Sequence, residues 1–90
     1  MADEGREPDV DLAELHEQLA SFDVDQLLVS SASTIASLAL AKIERGELDQ
    51  AKKAIDALGS ILPHVEGPAA GDLGQVLAEL QVAYVGALTD

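Results

Sequence analysis

The stretch LDQAKKAIDALGSIL, residues 48–62, decides the fold. Leu48, Ala51, Ile55, Leu58 and Leu62 recur at steps of three and four, which puts them on one face of an α-helix and leaves Asp49, Lys52, Lys53 and Asp56 off it. Pro63 has no N–H to continue the helix, so the spacing predicts a helix over about 47–62. Only Gly46 separates it from an earlier helical run. A glycine there can take the left-handed terminating conformation, and so short a connection makes the two helices an antiparallel hairpin.

The earlier run is the longest and least polar segment. Asp23 or Asp25 can cap its start, and Lys42 and Arg45 suit the negative end of its dipole near residue 45. Val24, Leu27, Leu28, Ile35, Leu38, Ala39 and Ile43 define a broad apolar face. Ser30, Ser33, Ser37 and Ala41 form a ridge of small side chains, which either admits a closely packed helix or is a solvated face whose hydroxyls bond back to the helix. The uncharged part, residues 26–41, would reach about 24 Å as a helix against the ~30 Å of a bilayer core. A buried helix of a soluble protein is expected.

Working outward, residues 1–9 are polar and charged and predict a disordered acidic tail, with a single helical domain over residues 10–90. A first helix is expected from residue 8 or 9 to 21, with Asp9, Asp11 and Glu14 near its positive end and Leu12, Leu15, Leu19 and Phe22 on one stripe. Residues 63–71 carry Pro63, Gly67, Pro68 and Gly71 and are expected to be a loop. Asp72 then caps a last helix to about Leu88, with Leu73, Leu77, Leu80, Tyr84 and Ala87 inward and Val76 and Leu88 beside them.

Composition agrees with this pattern. Hydrophobic residues make up 48% of the chain and aromatics 2%, so the core must be built of Leu, Ile, Val and Ala, which favours closely approaching helices over a sheet. The fold class expected is all-α: a small bundle of about four helices built on the hairpin. A 90-residue chain without cysteine has no disulfide to reinforce a small core, so completion by oligomerisation is expected, a homodimer first.

Seventeen acidic residues against five basic ones leave a net charge of -12, which repels nucleic-acid phosphates and anionic membranes. The acidic N-terminus lacks the basic start and apolar run of a signal peptide, so a cytoplasmic location is expected.

Chemical constellations are sparse. Glu14, His16 and Glu17 lack the three-residue carboxylate-to-histidine spacing of di-iron bundles. Asp23 and Asp25 are followed by Leu27 and Leu28 in place of the glycine and distal glutamate of a calcium loop. Asp56, Ser60 and His64 lie too close along one segment to face each other as a triad, and no nucleophile elbow accompanies them. No catalytic, cofactor or metal residue is assigned, and no enzyme activity is expected.

The basic residues are more informative. Lys42, Arg45, Lys52 and Lys53, four of the five, surround the hairpin turn, while nine of the seventeen acids precede the second helix. The acidic first segment could therefore dock on these four cations in the same or a neighbouring subunit.

Residues 44–63 resemble the second half of a tetratricopeptide repeat at Gly46, Ala51, Ile55 and Pro63. The aromatic signature of the first half does not precede them, and one hairpin is too few to close a repeat array. A resemblance of wider extent is to a short bacterial family, domain of unknown function 1844. Its pattern is met by Phe22, Leu27, Leu28 and Ser31 to Leu40, by Leu48, Ala51, Ile55, Asp56 and Leu58, and by Leu73, Leu77, Leu80, Tyr84 and Val85. The family's acidic stretch before the last helix is replaced by Ala69, Ala70, Gly71 and Asp72. The resemblance implies a helical fold and no mechanism.

The function expected is a non-catalytic interaction or structural module that self-associates or binds a protein partner. Its interface would be drawn from Leu28, Ile35, Leu38, Leu48, Ala51, Ile55, Leu58, Leu62, Leu77, Leu80 and Tyr84. The alternative is an acidic bundle that handles a small molecule or metal, with the acids or His64 and Tyr84 lining a pocket.

Overall fold

The computed structural model describes residues 11–89 and contains four α-helices and one 3₁₀ turn, with no strand among those residues. These are α1 (Leu12–Ala20), α2 (Val24–Glu44), α3 (Leu48–Ile61), the 3₁₀ turn Leu62–His64, and α4 (Pro68–Leu88). The protein is an all-α helical bundle in which α2 and α3 make the most extensive contact and α4 packs against both.

The hairpin turn closes as the glycine predicts. Gly46 adopts φ 75°, its N–H donates to the Ile43 carbonyl at 3.0 Å, and the Glu47 N–H donates to the Lys42 carbonyl at 2.9 Å. This pair of bonds satisfies carbonyls that the end of α2 would otherwise leave open. At the start of α2, Asp23 is the cap, its Oδ1 accepting from the Asp25 N–H at 3.0 Å.

Two boundaries differ from expectation. α1 begins at Leu12, because Asp11 turns its side chain onto the Ala13 N–H and so ends the extended backbone there; the expected start at residue 8 or 9 lies outside the described residues. α4 begins at Pro68, four residues before Asp72. Gly67 at φ 80°, ψ -165° turns the chain, and Pro68 supplies a backbone already set for the first helical turn, so no side-chain cap is needed. Residues 68–71, read as loop, are helix.

The core is formed by Ala32, Ala36 and Ala39 of α2, Ala51, Ile55 and Leu58 of α3, Val65 of the connector, and Leu73 and Leu80 of α4. Leu58 is fully buried and sits where all three helices meet the alanine stripe. The small residues that let helices approach are thus the alanines, one to two positions away from the serine ridge. Ser30, Ser33, Ser37 and Ala41 are exposed. A hydroxyl bonds back to the helix outside the ridge, at Thr34, whose Oγ1 donates to the Ser30 carbonyl at 3.0 Å.

The expectation that α2 is a buried helix also needs correction. It runs beyond the uncharged stretch at both ends, to 21 residues, or about 32 Å. By length and composition it is apolar enough to cross a membrane, with a mean hydropathy of 1.4 over its most apolar window, and only 17% of that window is buried within the chain. Three alanines face the core, and Leu27, Leu38 and Leu40 face outward.

Candidate interaction surface

Two uncovered apolar features stand out among the described residues. The first is α1. Leu12, Leu15 and Leu19 share one face of it, and Phe22 continues the stripe into the connection to α2. All four are exposed, Leu12 at 66% and Phe22 at 62%, and α1 packs against no other described element. Glu14 and Glu17 occupy the opposite face. A nine-residue helix is below the length at which isolated helices hold together in water, so its own hydrogen bonds do not account for it.

The second feature is a groove of about 330 Å³ between α2 and α4, lined by Ser33, Ala36, Ser37 and Leu40 on one side and Leu73, Val76, Glu79, Leu80 and Ala83 on the other. Small side chains on α2 leave it open. Its lining carries one charge, Glu79, and no cation. Beyond it, α4 exposes Val82, Val85 and Leu88, Val82 at 73%.

The eleven residues expected to form an interface divide sharply. Ala51, Ile55, Leu58 and Leu80 are buried in the chain's own core, so as folded they are closed to a partner. Leu28, Ile35, Leu62, Leu77 and Tyr84 are half-buried against that core, and Leu48 is half-buried at the start of α3. Leu38 is exposed, at 50%. The clean period of α3 marks the inner face of the bundle, because a helix flanked by two others turns its strongest apolar stripe toward them.

The basic cluster is occupied locally. Glu47 accepts from Lys42 Nζ at 2.7 Å and from Arg45 Nε at 2.8 Å, and Asp56 accepts from Lys52 Nζ at 2.9 Å, while Lys53 is exposed. The Lys42 hydrogen bond, then that of Arg45, holds the Glu47 carboxyl below the usual glutamate range; the Asp56 carboxylate raises the Lys52 ammonium. Within one chain the acidic first helix does not reach these cations, and Asp3, Glu4, Glu7 and Asp9 lie outside the described residues.

The remaining candidates stay apart. Ser60 Oγ donates to the Asp56 backbone carbonyl at 3.2 Å, the Asp56 carboxylate is paired with Lys52, and His64 is exposed in the 3₁₀ turn. Asp23 caps α2. Among the described residues no group of three or more His, Cys, Asp or Glu side chains is placed to hold a metal ion.

Sequence reasoning missed the groove, and of the alanine stripe it placed only Ala39 on the apolar face. The signal was present: Ala32, Ala36 and Ala39 keep the three-and-four spacing on α2, but Ala32 and Ala36 were passed over for the larger Leu and Ile side chains beside them. Comparison of the chain with protein-family models, with curated proteins and with solved structures finds no match. The surface is therefore read from its own chemistry.

Proposed function

We propose that this chain is a non-catalytic helical interaction module that self-associates through uncovered apolar helix faces, as a homodimer. One observation carries the reading: among the described residues, an amphipathic helix without a packing partner coexists with an apolar groove that none of those residues fills. Contiguous apolar surface of this kind marks association sites.

A membrane-spanning role for α2 is disfavoured by its neighbour. α3 lies along α2 with Asp49, Lys52, Lys53 and Asp56 exposed, and carrying α2 across a bilayer in this fold would take those charges into hydrocarbon. A small-molecule site would draw on the same α2–α4 groove, whose volume is at the low end of the ~300–1,000 Å³ typical of ligand pockets. Glu47 and Lys52, whose pKa values are displaced, stand outside it.

Light scattering over a concentration series tests the reading. A molar mass twice the 9.4 kDa of the chain is expected. A chain that stays monomeric and folded at high concentration rules self-association out.

A further inference from the structure

We propose that α1 of one copy docks into the α2–α4 groove of a second copy, whose own α1 docks into the first, so that an exchange of arms closes a symmetric dimer. The inference rests on the self-association reading and names the two surfaces that meet.

The surfaces match in length and chemistry. From Leu12 to Leu19 the arm's stripe rises over seven residue steps, about 10.5 Å of helix, and from Ser33 to Leu40 the α2 wall of the groove rises over the same. The arm offers three leucines, and the groove offers small side chains that let a helix come close and a mostly apolar lining to meet them. With the leucines turned inward, Glu14 and Glu17 stay in water, as does Glu79 at the rim.

The arm of the same chain cannot fill the groove. Ser21, Phe22 and Asp23 connect α1 to α2 in a tight turn. The Ser21 N–H bonds the Glu17 and Gln18 carbonyls, the Phe22 N–H bonds the Leu19 carbonyl, and Asp23 caps α2. Folded back with both caps kept, α1 would run alongside roughly the first ten residues of α2, since nine residues of helix extend only about 13.5 Å. Leu12 would then reach the level of Ser33, and Ser37 and Leu40 would remain open. A second copy has no such tether. Two-fold symmetry makes the exchange reciprocal, and once one arm is seated the other docks at the high effective concentration of a linked site.

Charge sets the salt dependence. Neither α1 nor α4 contains a Lys or Arg, and α2 carries its only one, Lys42, away from the groove lining. Two chains of net charge -12 repel, so added salt screens the repulsion and tightens the dimer. Docking of the acidic segment on the basic turn would respond in the opposite direction.

The chain has no cysteine, which makes cross-linking specific. In the full-length protein, Leu15→Cys and Ser37→Cys variants mixed in equal amounts and gently oxidised are expected to give a disulfide-linked heterodimer, because the exchange brings these positions within the ~7 Å that a disulfide requires. Leu15→Cys mixed with Lys53→Cys is expected to give little product. Leu19→Glu, on a helix that touches no core residue, is expected to raise the dimer dissociation constant about tenfold or more while the variant stays folded. Equal cross-linking at Ser37 and Lys53, an intrachain disulfide in the Leu15→Cys/Ser37→Cys double variant, or a dimer unaffected by Leu19→Glu would overturn the exchange. If the wild-type mass is dimeric and these tests fail, only the exchange falls; a wild-type monomer removes the self-association reading with it.

Discussion

Glu47 is bonded twice to Lys42 across the hairpin turn: its N–H donates to the Lys42 carbonyl at 2.9 Å, and its carboxylate accepts from Lys42 Nζ at 2.7 Å. Backbone and side chain thus hold the same corner, the first by satisfying an open carbonyl and the second by an ion pair that also takes in Arg45. The turn joins the two most tightly associated helices of the bundle.

A pH dependence follows from that pair. The Glu47 carboxyl is held below its ordinary range, so its contribution to stability is present above the unfolded-state value and is lost as pH falls through the lower, folded-state value. The stability difference between wild type and Glu47→Gln, measured by urea unfolding, is expected to favour wild type at pH 7 and to shrink towards zero below about pH 4. A difference that stays constant with pH would show that the ion pair adds nothing.

The alanine stripe of α2 predicts asymmetric tolerance. Ala39 is fully buried against the other helices, so Ala39→Leu overpacks the contact and is expected to cost about 1–3 kcal/mol. Ser30→Ala, on the exposed ridge, is expected to stay within about 0.5 kcal/mol of wild type. Denaturant midpoints at equal m-value decide the matter.

Leu58 anchors the junction of α2, α3 and α4. Removing its buried side chain with Leu58→Ala leaves a cavity where three helices meet and is expected to destabilise the fold by about 2–5 kcal/mol. In so small a domain that approaches the whole of the stability, so loss of the helical circular-dichroism signal at or near room temperature is the readout.

Gly67 holds φ 80° and ψ -165°, a backbone region that only glycine occupies without strain, and no atom lies within 4 Å of where a Cβ would stand. Gly67→Ala is therefore expected to cost about 1–3 kcal/mol through the backbone alone. Thermal unfolding measures it, and an unchanged midpoint would mean that the chain can enter α4 by another route.

Helix order and the hairpin were legible because they depend on local signals: the period of α3, Gly46, the Asp23 cap and Pro63. The start of α4 was not, since Gly67 and Pro68 read equally as loop punctuation and as a helix entry, and only the tertiary position of Leu73 and Val65 separates the two. The candidate surface was harder still. Ile55 and Leu58 have the periodicity of an interface and of a core alike, and which one they form depends on where α4 packs. The groove exists only once Ser33, Ser37, Val76 and Ala83 are brought together from two helices far apart in sequence.

Whether α1 is covered by another copy is tested most directly by amide hydrogen exchange of residues 12–20 across a dilution series. Leu15 and Leu19 sit on a nine-residue helix that packs against no other described element, so the isolated subunit should exchange these amides at nearly unprotected rates. Protection of α1 that grows with protein concentration, together with slower exchange around Ser37 and Leu40, is the result predicted. Fast exchange of α1 at every concentration, in a protein whose α3 amides remain protected, would contradict it.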